Sequence, residues 1–140
     1  MRFLGIDYGA RRIGLALSDP SGTLARPWQT VQAGAVVADS ARGLADLIRA
    51  LPADAAVEAI VVGVPKRLDG RDTDQTAAAR ELIVLLSDAT GLPVHEQDER
   101  LSSHEADERL ATRERDWRVR KAKLDAAAAA VILQDYLNRC

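Results

Sequence analysis

The chain has 140 residues, 47% of them apolar and 29% charged, with a formal net charge of −2. That size and composition suit one folded domain over residues 1–140 and exclude a disordered chain. One cysteine, Cys140, and two histidines, His95 and His104, exclude an internal disulfide framework and a cysteine or histidine zinc centre. Any metal must then be a hard cation held by oxygen. No segment reads as a signal peptide and no apolar run is long enough to cross a membrane, so a cytoplasmic protein is the expectation.

Phe3-Leu4-Gly5-Ile6-Asp7-Tyr8-Gly9 and Ile13-Gly14-Leu15-Ala16-Leu17-Ser18 are two apolar strands separated by Ala10-Arg11-Arg12, close enough to read as a β-hairpin. Asp19-Pro20-Ser21-Gly22 is a turn, and residues 23–31 read as a third strand that Pro27 pushes to an edge or a bulge. Leu44, Leu47, Ile48 and Leu51 have helical spacing within residues 37–51, and Pro52 stops that helix. Residues 59–65, Ala-Ile-Val-Val-Gly-Val-Pro, form an apolar run too short for a helix, the pattern of a strand buried on both faces.

A polar loop over residues 66–72 leads to a second helix over 73–89 that ends before Gly91. Residues 93–100 are a weaker strand, and Ser102 or Ser103 caps a helix with Glu105 in its first turn. A charged stretch over 113–123 interrupts the pattern, and a last helix over 124–137 opens with Asp125. The order of three strands, helix, strand, helix, strand, helices predicts an α/β fold. It is a mixed five-stranded sheet with an antiparallel three-strand meander and helices on both faces. The ribonuclease H-like fold has this order.

Three carboxylates stand at element ends: Asp7 after the first strand, Asp98 at the end of the last, and Asp125 at the start of the last helix. Each also has an ordinary reading. Asp7 suits a turn, Asp98 suits a surface pair with Arg100, and Asp125 suits a helix N-terminus. If the first strand is central and the last helix crosses it, the three converge. Converging carboxylates need a cation, or one must take up a proton. Mg²⁺ or Mn²⁺ fits such an oxygen-only set and borrows further ligands from phosphate. Two such ions activate a water and stabilise the leaving oxygen of a phosphodiester. His95 and His104 read as solvated or satisfied side chains rather than general bases.

Three groups of basic residues stand out along the chain. Arg11 and Arg12 occupy the hairpin turn, and Lys66, Arg67 and Arg71 crowd the loop after the fourth strand. Arg113, Arg115, Arg118, Arg120, Lys121 and Lys123 surround Trp117 just before Asp125. Cations bind phosphates without reading sequence, and a tryptophan among them suits an unpaired base. The alternative for the last group is a solvated loop whose charge Glu114 and Asp116 dilute.

Gly5-Ile6-Asp7-Tyr8-Gly9 with Arg12-Ile13-Gly14-Leu15-Ala16 resembles the opening of the YqgF or RuvX family. Val62-Gly63-Val64-Pro65 with Leu68-Asp69-Gly70 resembles its second signature, and Asp98-Glu99-Arg100-Leu101-Ser102-Ser103 with Glu105-Ala106 its third. Lys123-Leu124-Asp125 with the following alanines resembles its fourth. These are ribonuclease H-like bacterial proteins described as Holliday junction resolvases or pre-16S rRNA nucleases, and the resemblance spans essentially the whole chain. It implies that Asp7, Asp98 and Asp125 are the acidic site residues, with Glu99 as a fourth candidate ligand. An acid on the 60–65 strand, as in related resolvases, is absent, which leaves Asp98 as the second acid.

The resemblance implies a Mg²⁺- or Mn²⁺-dependent endonuclease that matures the 16S rRNA 5′ end, with branched-DNA cleavage as the alternative. The partner is structured RNA or branched DNA, the protein a monomer or a homodimer, and no membrane is involved. Two other classes are weaker. An ATP-dependent kinase or actin-like ATPase needs two such domains around its nucleotide. A catalytically silent RNA-binding module gains nothing from acids that repel phosphate.

Overall fold

The structure, a computed structural model, describes residues 1–66, 69–98 and 117–139, with side chains of residues 117–123 set aside. Five strands form one sheet: β1 (Phe3–Tyr8), β2 (Arg12–Ser18), β3 (Ala25–Gln32), β4 (Ala59–Val64) and β5 (Val94–Asp98). Their order is β3-β2-β1-β4-β5, so β1 is central. β1 pairs antiparallel with β2 and parallel with β4. β3 extends the antiparallel side and β5 the parallel side. The mixed sheet and its three-strand meander agree with the sequence-based expectation.

Three helices of the described residues cover the sheet: α1 (Val37–Arg49), α2 (Asp74–Thr90) and α3 (Trp117–Arg139). Strand alternation decides which residues meet which helix. Leu4, Ile6, Ile13, Leu15, Ile60 and Val62 point to one face and pack with Leu44 of α1 and Leu82 and Leu86 of α2. Ala16 and Val61 point to the other and pack with Ala129, Ile132 and Leu133 of α3. All six residues of β4 are buried, which is why that segment is apolar without alternation.

Local chemistry fixes the element ends. Thr73 caps α2 in a capping box with Thr76, whose hydroxyl also donates to the Pro65 carbonyl and ties the exit of β4 to the helix. Gly91, at φ 70°, ends α2 in the left-handed conformation. Pro27 lies on edge strand β3 at a bulge. Leu15 pairs with Gln29 and Ala16 with Pro27, which leaves Trp28 as the extra residue. In the turn before β3 the Asp19 carboxylate accepts from the Ser21 hydroxyl and from the Leu24 and Thr23 amides. These contacts hold it well below the usual carboxylate range.

Two boundaries differ from expectation. β3 starts at Ala25 rather than Thr23. More consequentially, the last helix begins at Trp117, seven residues before Leu124. Asp125 is therefore inside the helix, and its reading as an N-terminal helix acid falls. The segment from Trp117 to Lys123 carries no apolar stripe in its sequence, but its Arg, Lys and Ala residues favour helix. The expected helix capped by Ser102 or Ser103 lies outside the described residues.

Candidate active site at the rim of the central strand

Asp7 is the fifth residue of β1, half-buried near the strand's C-terminal end. It pairs with Gly14 on one side and with Gly63 on the other, and Gly63 pairs in turn with Gln97. Gly14, Asp7, Gly63 and Gln97 thus form one row across four strands, all on the face that α3 covers. Glycine on both sides removes every side chain that would crowd the Asp7 carboxylate along this row.

Gly14 also seats α3. A Cβ built there would lie 1.8 Å from the Asp125 carbonyl oxygen and 2.3 Å from its carbonyl carbon. The helix backbone therefore rests on the β2 backbone at that point, and only glycine permits it. This contact, together with Gly5 beneath Ala129 and Leu133, sets the height and register of α3 on the sheet. It sets the Asp125 main chain over the β2 neighbour of Asp7, although 118 sequence positions separate the two residues. The hairpin turn is equally tight: the Gly9 amide donates to the Arg12 carbonyl at 3.0 Å, and a Cβ on Gly9 would come within 2.6 Å of that oxygen.

Arg12 begins β2 on the same face as Gly14. Its Nε donates to Asp125 Oδ2 at 2.5 Å, with the two side chains 34% and 21% exposed. The nearest partner of Asp125 is therefore a cation from the opening motif. The sequence had assigned Arg12 to nucleic acid alone. The signal for the pairing was present in Gly14, since an isolated glycine inside a strand marks close backbone approach.

Asp98 is placed differently. It ends β5 paired with Val64, and the alternation of β5 groups it with Val94 and Glu96. Val94 packs in the α1–α2 core, and Glu96 accepts from Arg80 of α2 at 3.3 Å, which marks their side of the sheet. On the α3 side, β5 instead presents His95, stacked on Tyr136 with ring centroids 5.4 Å apart, and Gln97. The stacking makes His95 a packed ring, as the sequence suggested. Gln97 is 3% exposed and its Oε1 is buried with no hydrogen-bond partner among the described residues. The sequence reading passed over it. A lone amide between charged residues gives no signal until its row is known.

Among the described residues, no three carboxylate, histidine or cysteine side chains lie close enough to share a metal ion. The structure seats the Asp125 main chain on Gly14, the β2 neighbour of Asp7, and places Asp98 on the other side of β5. Of the basic residues, Arg11 is exposed in the hairpin turn and Lys66 half-buried beyond β4. Arg71 forms an exposed pair with Asp69 at 3.2 Å. Trp117, Arg118, Arg120, Lys121 and Lys123 lie on the first turns of α3, on the backbone that leads to Asp125. Glu99, Arg67, Arg113 and Arg115 lie outside the described residues.

The two carboxylates at this rim fit a hard divalent cation. Mg²⁺ and Mn²⁺ accept one or two carboxylates, keep their waters and take further ligands from phosphate, which suits the donor set of this rim.

Comparison with known proteins agrees with this architecture. A family model described as "RuvX: Holliday junction resolvase" matches residues 1–139. A "Putative pre-16S rRNA nuclease" of Moorella thermoacetica is 39% identical over 139 residues, covering 99% of this chain and 96% of its own. A protein of the same name from Nitratidesulfovibrio vulgaris is 40% identical over 138 residues, covering 99% and 94%. Among solved structures, Thermus thermophilus RuvC in complex with a Holliday junction substrate aligns over 99% of this chain and 95% of its own. Its TM-score is 0.54 at 18% identity, a likeness of fold. The mixed sheet with helices on both faces is ribonuclease H-like, and the chain belongs to the RuvX family.

Proposed function

We propose that this protein is a divalent-metal-dependent endonuclease that matures the 5′ end of 16S rRNA. The observation that carries the reading is the seating of the Asp125 main chain on Gly14, the neighbour of Asp7, in a chain whose relatives are named "Putative pre-16S rRNA nuclease". Asp7 and Asp125 hold the cation, Mg²⁺ or Mn²⁺, and Glu99, the next residue in sequence after Asp98, is the candidate third donor. When bound, that ion supplies an activated water and charge stabilisation for the leaving oxygen.

The chain's own residues position the substrate. Arg11 and Arg12 flank the acids at the hairpin and suit the phosphates beside the scissile one. Lys66, Arg67 and Arg71 extend the basic rim on the β4 side. The cluster from Arg113 to Lys123 continues it along the approach to α3, where Trp117 suits stacking on an unpaired base. None of these contacts reads a base edge, so shape and strand availability select the substrate. Acting on precursor rRNA places the protein in the cytoplasm, and among the described residues no helix is long and apolar enough to cross a membrane.

A second reading, cleavage of a four-way DNA junction, is favoured by the description of the family model. It requires two sites related by symmetry, hence a homodimer. Depletion of the protein in its source organism separates the two readings. Extended 16S 5′ ends, rescued by the wild type and not by Asp7→Asn, support rRNA maturation. Normal 5′ ends with persistent junctions overturn it in favour of the resolvase.

A further inference from the structure

The Arg12–Asp125 pair has fixed ends and one movable part. Arg12 is anchored through its main chain, whose carbonyl takes the Gly9 amide and which pairs with Gln32 of β3. Asp125 is anchored where α3 rests on Gly14. Between these anchors the longer run of rotatable bonds belongs to the arginine side chain, which is 34% exposed. Only its Nε is engaged among the described residues, and neither terminal nitrogen is a buried, unsatisfied donor. The guanidinium thus holds Asp125 with one edge and keeps its fork of donors for another acceptor.

A part-buried pair pays to desolvate both charges, so stability alone is a poor reason for placing a cation there. Electrostatics supplies a better one. Asp7 and Asp125 repel each other when no cation lies between them. A guanidinium beside Asp125 offsets that repulsion, and because it cannot deprotonate it yields the carboxylate only by moving. A dication arriving at Asp125 must displace it, and the released fork matches a phosphate oxygen.

We infer that Arg12 is an exchangeable counter-ion: it neutralises Asp125 in the metal-free protein, yields it to the divalent cation, and then takes a phosphate of the nucleic acid. This rests on the assignment of Asp7 and Asp125 as the cation's ligands. It makes Arg12 a positioning residue with two opposed effects. Its removal strengthens cation binding in the absence of nucleic acid and weakens nucleic-acid binding in the presence of cation. An arginine that only braced Asp125 would weaken both.

The test titrates Mn²⁺ into wild type, Arg12→Gln, Arg12→Lys and Asp7→Asn by calorimetry, without nucleic acid. Binding of a short structured RNA is then measured in Ca²⁺. Arg12→Gln is expected to bind Mn²⁺ roughly 5- to 20-fold more tightly, because a competing positive charge is gone. Its RNA affinity is expected to fall and to depend less steeply on salt. Arg12→Lys, which keeps the charge without the fork, is expected to shift Mn²⁺ affinity in the same direction by a smaller factor. It carries the test if Arg12→Gln fails to fold. Mn²⁺ affinity equal to or weaker than wild type in the folded variant overturns the exchange. A wild type that binds no Mn²⁺, or binds it as well after Asp7→Asn, overturns the assignment of the site itself.

Discussion

Gly14→Ala is the smallest change that separates the two halves of the candidate site. The added Cβ would lie 1.8 Å from the Asp125 carbonyl oxygen and 3.0 Å from the Ala126 amide nitrogen. Contacts shorter than 3.0 Å essentially never occur for a real Cβ, so the helix must retreat by more than 1 Å. Both opposing atoms are main chain within α3, and no rotamer change relieves them. The retreat must also lift Ile132 and Leu133, which are fully buried on the same helix. Overpacking costs about 1–3 kcal/mol where side chains can yield. Here backbone meets backbone, so a loss of about 3 kcal/mol or more is expected, or roughly 10 °C in Tm for a chain of this size. Moving Asp125 by about 1 Å relative to Asp7 should cost about 100-fold in cleavage rate. Gly43→Ala is the control. It lies in α1 with nothing within 4 Å of the added Cβ, so replacement should stabilise the protein by about 0.5–1 kcal/mol. Urea unfolding and a cleavage assay check both. A Gly14→Ala protein with wild-type midpoint and rate would refute the seating of α3 on β2.

Two further outcomes follow from single residues. Gln97→Leu removes a buried carbonyl oxygen that has no partner among the described residues, a defect costing about 1–3 kcal/mol. It should leave stability equal or higher in chemical denaturation, and a clear loss would show that the amide is satisfied. Asp19 should contribute to acid sensitivity. Its carboxyl is depressed in the folded protein by Ser21 and the Leu24 and Thr23 amides, so its contribution is present above the ordinary value of 3.8. It is lost as pH falls from there toward the folded-state value. Asp19→Asn should flatten that part of the stability–pH curve, measured by thermal unfolding across acidic buffers.

The sheet was legible because its strands obey rules that need no tertiary information. The unbroken run of β4 announced a strand covered on both faces, and Pro27 announced an edge and a bulge. Capping at Thr73 and Gly91 fixed α2 to within a residue. What failed depended on contacts distant in sequence. The start of α3 was misjudged because Trp117 to Lys123 have helix-forming side chains without an apolar stripe, and only the structure shows the helix continuing through them. Asp7 near its strand end was legible, but Asp125 lies inside α3 rather than at its start, and the side of β5 on which Asp98 sits depends on the pairing of Val64 with Asp98. A shift of one residue would reverse it. The Arg12–Asp125 pair, across 113 positions, was invisible to periodicity. Its trace in the sequence was Gly14, which earned no notice beside Gly5 and Gly9.

The central claim is that Asp7 and Asp125 form a metal-dependent nuclease site. The most direct measurement is cleavage of a precursor 16S rRNA 5′ fragment by purified protein, with Mg²⁺ or Mn²⁺ and with chelator, for wild type and Asp7→Asn. Removal of one carboxylate from a rim position should leave the fold and most of the RNA binding intact. The account predicts cleavage by the wild type that chelator abolishes and that Asp7→Asn lowers by about 100-fold or more. Undiminished cleavage by Asp7→Asn, or cleavage that persists in chelator, would contradict it.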